Sequence, residues 1–346
     1  MTFNPNSVGI PNGSYFALPF GADNALLALL PVPWDATTSY RSGAAGAPQA
    51  MLDASAQVDL FDLDSGDAWT SGICTLPESA EIRRLGKAAR RHAEKAIALL
   101  EKGADEGSAK VRPHLDRVNK ASLALNRWVR EQTLPLLRRG QLVGLVGGDH
   151  STPLGYLQAL GEVHEAFGVL HIDAHADLRK AYEGFEFSHA SIMYNAVTRV
   201  PSVKKLVQVG VRDVCSDEVE FAAASPLIEQ FNDYYLHESL FNQVSWAALC
   251  EKILAPLPQK VYISFDIDGL SPDCCPNTGT PVPGGLSFHQ ASFLIRQLVR
   301  QGKTIVGFDL CEVAPARDGS EWDATVGARV LYKLCGFCIR SQHKLC

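Results

Sequence analysis

The sequence predicts an α/β fold around a parallel sheet, on two observations. Short apolar runs alternate with stretches of helical periodicity, the pattern of βαβ units rather than of a sandwich or a bundle. Four of those runs also end in acid. Leu142-Val143-Gly144-Leu145-Val146 leads into Gly147-Gly148-Asp149-His150-Ser151, and Gly168-Val169-Leu170-His171-Ile172 into Asp173-Ala174-His175-Ala176-Asp177. Val261-Tyr262-Ile263-Ser264-Phe265 ends in Asp266-Ile267-Asp268, and Thr304-Ile305-Val306-Gly307-Phe308 in Asp309-Leu310-Cys311-Glu312. Buried parallel strands read as near-continuous apolar runs, and open α/β sheets place ligands beyond the carboxyl ends of their strands.

In chain order, the first strand is expected over Ala25 to Leu30. It runs into Pro31-Val32-Pro33-Trp34 and a Ser/Thr/Gly-rich loop through Gly46, of the kind that carries function at a strand end. A helix follows near Pro48 to Ala54, with proline at a tolerated early position. From Glu78 to Gly140 the composition shifts to Lys, Arg, Glu and Ala. Ile82, Leu85, Ala89, Ala93, Ile97 and Leu100 share one helical face; after a break at Gly103 to Gly107, Leu115, Val118, Ser122, Leu125 and Val129 share another. A helical hairpin packed on the sheet is expected there. Acidic residues interleave its basic face, so a solvated face or a subunit contact is favoured over a nucleic-acid patch. No internal repeat, low-complexity tract or linker divides the chain, and one domain over 1–346 is expected.

The 346 residues are 46% hydrophobic, enough for a large core. A formal charge of -6 lacks the basic stripe of a nucleic-acid binder, and no apolar stretch is long enough to span a bilayer. Met1 to Tyr15 lacks the basic-then-apolar order of a secretory signal, so a cytoplasmic location is expected. Nine scattered cysteines fit reduced thiols better than a disulfide framework. Cys335 and Cys338, with His343 and Cys346 nearby, raise a zinc site against a plain pair at a frayed helix end. Cys274-Cys275 raises a reactive thiol against an unremarkable loop thiol.

Acidic groups at buried strand ends face a large desolvation cost unless cations accompany them. Asp173, His175 and Asp177 alternate along an extended segment and can converge on one cavity. Four aspartates and two histidines make an oxygen-rich shell suited to Mn, Fe, Co or Ni rather than thiolate zinc. Asp173 and Asp266 can each bridge two ions, leaving His150 and Asp177 for one and His175 and Asp268 for the other. Such a pair lowers the pKa of a shared water until hydroxide is available near neutral pH, which makes a hydrolase. His171 reads as a satisfied core histidine rather than a ligand. Gly147-Gly148 lacks the Lys and further Gly of a phosphate-binding loop, so His150 is better employed as a ligand.

These residues resemble the ureohydrolases, the family of arginase, agmatinase and related guanidino or formimino hydrolases. Gly147 to Ser151 looks like the family's GGDHS element, Asp173 to Asp177 its D-A-H-x-D element, and Ser264 to Gly285 its long third element. The resemblance runs from about Leu27 to Leu334, the 78–140 segment matching by general position only. It implies an arginase-like three-layer α/β/α sandwich, and a pair of divalent ions, most often Mn2+, with Ni2+ in some members. The six ligands it implies are His150, Asp173, His175, Asp177, Asp266 and Asp268. His189 corresponds to a proton-relaying histidine, for which a near-neutral intrinsic pKa is suited. Glu312 corresponds to the acid that pairs a substrate guanidinium, the alternative being a structural salt bridge. Asp177 would hold the attacking hydroxide and serve the leaving nitrogen, with an amine and urea as products. A homotrimer or homohexamer is implied as well.

The loop from Leu178 to Ser188 looks more like agmatinase-type members than arginase, although Arg179 and Lys180 offer a grip for a carboxylate. Cys274 to Thr280 and Glu321 to Arg329 also resemble a branch that includes guanidine hydrolases. Ser271 stands where many members have Asp. A guanidino hydrolase acting on agmatine or another small guanidino compound is therefore expected, with guanidine hydrolase, arginase and formimidoylglutamase as alternatives. Other classes remain: a two-metal phosphoesterase, which calls for more basic residues than Arg179 and Lys180, and a metal-free binding homologue, which would normally have lost a ligand.

Overall fold

The computed structural model describes residues 3–342; His343 and Cys346, part of the zinc expectation, lie outside them. Eight strands form one parallel sheet: β1 Leu27–Val32, β2 Ile73–Thr75, β3 Leu142–Gly147, β4 Phe167–Ile172, β5 Val203–Val209, β6 Ile228–Phe231, β7 Lys260–Asp266 and β8 Thr304–Cys311. Their order is β2-β1-β3-β8-β7-β4-β5-β6. Ten helices connect them: α1 Ala47–Ser55, α2 Ala80–Leu100, α3 Arg112–Arg138, α4 Leu154–Val163, α5 Ile192–Arg199, α6 Ser216–Ala224, α7 Asp233–Phe241, α8 Trp246–Leu254, α9 Phe288–Arg300 and α10 Trp322–Arg340.

Alternation along the strands builds two apolar layers. Leu27, Leu29, Val146, Leu170, Ile263 and Leu310 pack with α1, α8, α9 and α10 on one face. Ala28, Leu30, Val143, Leu145, Val169 and Tyr262 pack with α3, α4 and α5 on the other. The result is the three-layer α/β/α sandwich.

β1 ends two residues later than expected and runs through Pro31. The Leu29 carbonyl accepts from Leu76 on the β2 side, and alternation turns the Pro31 nitrogen to that side too. β2 pairs only with Leu27 to Leu29, so the missing N–H falls past its end and costs no ladder bond. The 78–140 segment is the expected hairpin, α2 and α3. Cys335 and Cys338 are not at a frayed end: both are fully buried within α10, in the core beneath β8. All cysteines among the described residues are free thiols.

β8 carries an irregularity where β7 Val261 pairs with Ile305 but Tyr262 pairs with Gly307. The Tyr156 hydroxyl enters there and donates to the Val143 carbonyl at 2.7 Å; a Cβ on Gly307 would lie 1.9 Å from that oxygen. Tyr156→Phe should destabilise the protein by about 1–3 kcal/mol, because it strands a buried carbonyl. Denaturant unfolding checks this, and an unchanged midpoint would mean that the carbonyl finds another donor.

Candidate active site

The acidic strand ends converge. β3, β8, β7 and β4 are consecutive in the sheet, and their carboxyl ends deliver His150, Glu312, Asp266 with Asp268, and Asp173 with His175 and Asp177, respectively. Two glycines permit the close approach. A Cβ on Gly148 would sit 1.8 Å from the Trp34 carbonyl oxygen, which accepts from the Asp149 N–H, and one on Gly269 would sit 2.7 Å from the Asp173 nitrogen.

His150 Nδ1 has three carboxylate oxygens around it: Asp173 Oδ2 at 3.0 Å, Asp266 Oδ2 at 3.2 Å and Asp177 Oδ2 at 3.3 Å. One ring nitrogen carries at most one hydrogen, so hydrogen bonding cannot serve all three oxygens. A second group is formed by His175, whose Nδ1 lies 3.1 Å from Asp268 Oδ2 and 3.5 Å from Asp173 Oδ1. Asp173 joins the two groups, one carboxylate oxygen turned to each. Asp266 points Oδ2 at His150, while its Oδ1 accepts from the Asp268 N–H at 2.9 Å. All six residues predicted as ligands thus share one locus, and their donors fit divalent ions.

The electrostatics suit a site built to hold cations. Burial pushes the Asp266 carboxyl well above the usual range, with Asp268 and Asp173 adding to it. Burial and Asp173 push Asp177 up to about 6. Against burial, the His171, His150 and His175 imidazoles hold Asp173 well below its ordinary value. Asp177 also sits in the left-handed backbone region at φ 53°, a conformation that persists when its surroundings dictate it. Its carbonyl accepts from the Met193 and Tyr194 N–H groups at the start of α5, each at 3.1 Å.

His171 is fully buried and has its own bonds, as a core histidine should. Gln208 Nε2 donates to Nδ1 at 2.9 Å, so Nε2 carries the hydrogen given to Asp173 Oδ2 at 2.8 Å. His171 orients the shared carboxylate, a task that its place in an apolar run does not reveal. Other supports of the site have no local sequence signal. Ser264 Oγ meets His150 Nε2 at 2.8 Å and donates to Asp309 Oδ2 at 2.8 Å, and Arg212 donates to the carbonyls of Asp268, Leu270 and Val282. Asp323, fully buried at the start of α10, accepts from the Asn277 N–H and Nδ2 and from the Cys275 thiol. Cys275 is therefore a structural thiol, pushed well up by burial and then by Asp323. The pairing of acids in β7 and β8 was visible in sequence; partners as distant as Asn277 and Asp323 leave no local spacing to read.

Glu312 lies beside this cluster with φ 62°. Its Oε1 accepts from the His150 N–H at 2.9 Å, its own N–H donates to the Gly148 carbonyl, and its carbonyl accepts from Thr278 Oγ1 at 2.9 Å. Burial, then Asp149, pushes its carboxyl well above the usual range. Among the described residues no lysine or arginine pairs with it, so the salt-bridge alternative finds no partner. His189 stands outside the two ligand groups. Its N–H donates to Thr37 Oγ1 at 3.3 Å, and Nδ1 lies 3.3 Å from Ser188 Oγ. Burial, followed by the charges of His175 and His150, pushes its imidazole down to about 3; ligation of an ion would remove the proton, and with it the charge, from both of those rings.

Arg179 is engaged within its own loop. It lies over the Tyr182 ring at 4.8 Å and faces Glu218 Oε2 at 3.6 Å. Glu218 in turn accepts from the Leu178 and Cys215 N–H groups.

Comparison with known proteins agrees with this architecture. A family model described as the arginase family matches residues 25–336. An N(1)-aminopropylagmatine ureohydrolase of Thermus thermophilus is 32% identical over 315 residues, covering 91% of this chain and 90% of its own. A guanidinobutyrase of Pseudomonas aeruginosa is 33% identical over 218 residues, 60% of this chain and 64% of its own. Among solved structures, a hypothetical agmatinase from Burkholderia thailandensis is 25% identical with a TM-score of 0.70, covering 99% of this chain and 92% of its own. The Bacillus cereus arginase is 21% identical with a TM-score of 0.64, covering 90% and 98%. The chain belongs to the arginase family and is a hydrolase acting on C–N bonds.

Proposed function

We propose that this protein uses a pair of divalent ions, Mn2+ foremost and Ni2+ as the second choice, to hydrolyse a small guanidino compound to urea and an amine. The observation that carries this reading is the division of the Asp173 carboxylate, one oxygen toward His150 and the other toward His175. His150 and Asp177 would hold one ion, His175 and Asp268 the other, with Asp173 and Asp266 shared. Bound there, the ions supply an acidified water and charge stabilisation for a tetrahedral carbon. Glu312 receives the substrate guanidinium, whose N–H fork meets a carboxylate in bidentate fashion; that cation also relieves the buried charge on Glu312. Asp177, through the carboxylate oxygen not turned to His150, takes the proton from the attacking oxygen and passes it to the leaving nitrogen. His189, a neutral imidazole, accepts or returns a proton at the mouth.

The engagement of Arg179 with Glu218 and Tyr182 leaves Lys180 alone of the two basic residues to meet a carboxylate, which favours substrates without one, such as agmatine or guanidine, over arginine. Metal analysis followed by urea assays on agmatine, guanidinobutyrate, arginine and guanidine, with a formamide assay on formiminoglutamate, tests the proposal. Two ions per chain and urea from a carboxylate-free compound are expected; metal-replete protein that releases urea from none of them would refute it.

Loading should depend on pH. Without ions, Asp266 and Asp177 hold protons to higher pH than free carboxyls, and His150 and His175 stay cationic because, against burial, neighbouring carboxylates raise them. Ligation needs ionised carboxylates and free imidazole nitrogens, so binding expels protons and affinity rises with pH. The sign for Asp177 agrees: its folded pKa of about 6 exceeds the unfolded value, so its contribution to stability is full at low pH and is lost as pH rises through 6. Thermal unfolding in chelator against saturating Mn2+ should show a larger metal-induced rise in Tm at pH 8 than at pH 5.5. An equal rise at both values would contradict the ligand set.

A further inference from the structure

We propose that the α2–α3 hairpin is a specificity element, clamping the loop from Leu178 to Ser188 and so setting which substrate tails the mouth of the site accepts. The inference rests on the guanidino-hydrolase reading and assigns a task to a segment that holds none of the six predicted ligands.

The loop leaves the site at Asp177 and returns beside His175 and His150 at His189, so its course bounds the site between those two residues. Its tip is a tight turn. Tyr182 and Phe185 exchange backbone hydrogen bonds at 3.2 and 2.8 Å, with Glu183 at φ 52° and Gly184 at φ 76° between them. Positive φ at both central residues is the type I′ geometry, which non-glycine residues adopt only when their surroundings require it.

The hairpin meets that requirement. Phe185 is fully buried, and the cluster that buries it is not part of either sheet layer. It consists of Ala93, Ala96 and Ile97 from α2, Val111, and Leu115 and Val118 from α3. The alanines leave the volume that the Phe185 ring fills. Without the ring, the inner surface of the hairpin would enclose a void, and such cavities are costly. Asn119 then brackets the same residue on both sides: its Nδ2 donates to the Gly184 carbonyl at 3.1 Å, and its Oδ1 accepts from the Glu186 N–H at 2.9 Å. A Cβ on Gly184 would lie 2.5 Å from Leu115 Cδ1, so the turn is pressed directly onto α3.

A second attachment reaches the segment beside His189. Arg90 on α2 donates to the carbonyl and to Oγ1 of Thr38, next to Thr37, whose hydroxyl accepts from the His189 N–H. Both segments that flank His189 are therefore tied to the hairpin, while the metal ligands are held by the sheet. Changes in the hairpin should alter the selection of tails more than the chemistry at the guanidino carbon.

The test uses the intact, metal-loaded protein with Asn119→Ala, Asn119→Asp and Phe185→Leu, the last chosen because it keeps an apolar side chain in the cluster. Asn119→Ala removes two hydrogen bonds and should speed amide exchange over residues 184–188 about 30-fold, with exchange in β3 and β4 unaltered. Asn119→Asp retains the acceptor for Glu186 and should show a smaller acceleration. The ratio of kcat/KM for agmatine to that for guanidine, one substrate with a tail and one without, should shift at least about fivefold in Asn119→Ala and Phe185→Leu. Unchanged exchange over 184–188 overturns the clamp. A fall in both kcat/KM values together, with their ratio preserved, overturns the specificity role and leaves the hairpin a structural prop. Wild-type protein inactive on every guanidino compound would sink the functional reading separately, and the specificity role with it; the exchange data would then decide the clamp alone.

Discussion

Asp173→Asn is expected to cut both metal retention and turnover sharply. Asp173 Oδ2 lies 3.0 Å from His150 Nδ1 and accepts from His171 Nε2 at 2.8 Å, while Oδ1 accepts the His175 N–H at 2.6 Å and faces that ring. An asparagine can keep one of these oxygens, but its NH2 group offers no lone pair to a cation. The side chain keeps its size, so the fold should survive while the link between the two ligand groups is cut. Metal content should fall below half of wild type, and kcat/KM should drop roughly a thousandfold or more, the several kcal/mol an ion pair supplies to a transition state. Elemental analysis and urea release on the same preparation measure both. A full complement of ions with activity within tenfold of wild type would remove Asp173 from the site.

Glu312→Gln should separate substrate recognition from metal binding. The amide retains an acceptor for the His150 N–H, a bond of 2.9 Å in the wild type, so the ligand geometry next to it should persist and metal content should be unchanged. What is lost is the charge that meets the guanidinium. A charge-assisted bidentate pair in a buried site is about twice as strong as a neutral one, and the variant should lose about a hundredfold in kcat/KM. Stability should move the other way. Burial and Asp149 already push the Glu312 carboxyl up, so replacing an unpaired buried carboxylate by a neutral amide should leave the Tm of the substrate-free protein equal or higher. A variant with reduced metal and reduced Tm would instead make Glu312 a structural support of His150.

Much of this site was legible because its chemistry is local in sequence. Asp173, His175 and Asp177 lie within five residues, Asp266 and Asp268 within three, and each group follows an apolar run whose burial the composition announces. β2, β5 and β6 carried no comparable signal. β2 has three residues, and β5 and β6 include Lys204, Lys205, Glu229 and Gln230, because these strands lie toward the sheet's edges where burial is incomplete. Pro31 hid the end of β1, since its place depends on where a neighbouring strand stops.

The α/β class, the acidic strand ends and the six clustered residues were determined by the sequence alone, because strand periodicity and the cost of burying charge act over short stretches of chain. Tertiary structure decided the rest. The order β3-β8-β7-β4, which makes four separated segments neighbours, depends on long crossovers that no residue spacing encodes. The same holds for the division of Asp173 between two histidines, the buried carboxylate of Asp323 and the seating of Phe185 between α2 and α3. Each is a contact between residues far apart in the chain, and a side chain's charge state or packing partner exists only once the backbone has closed around it.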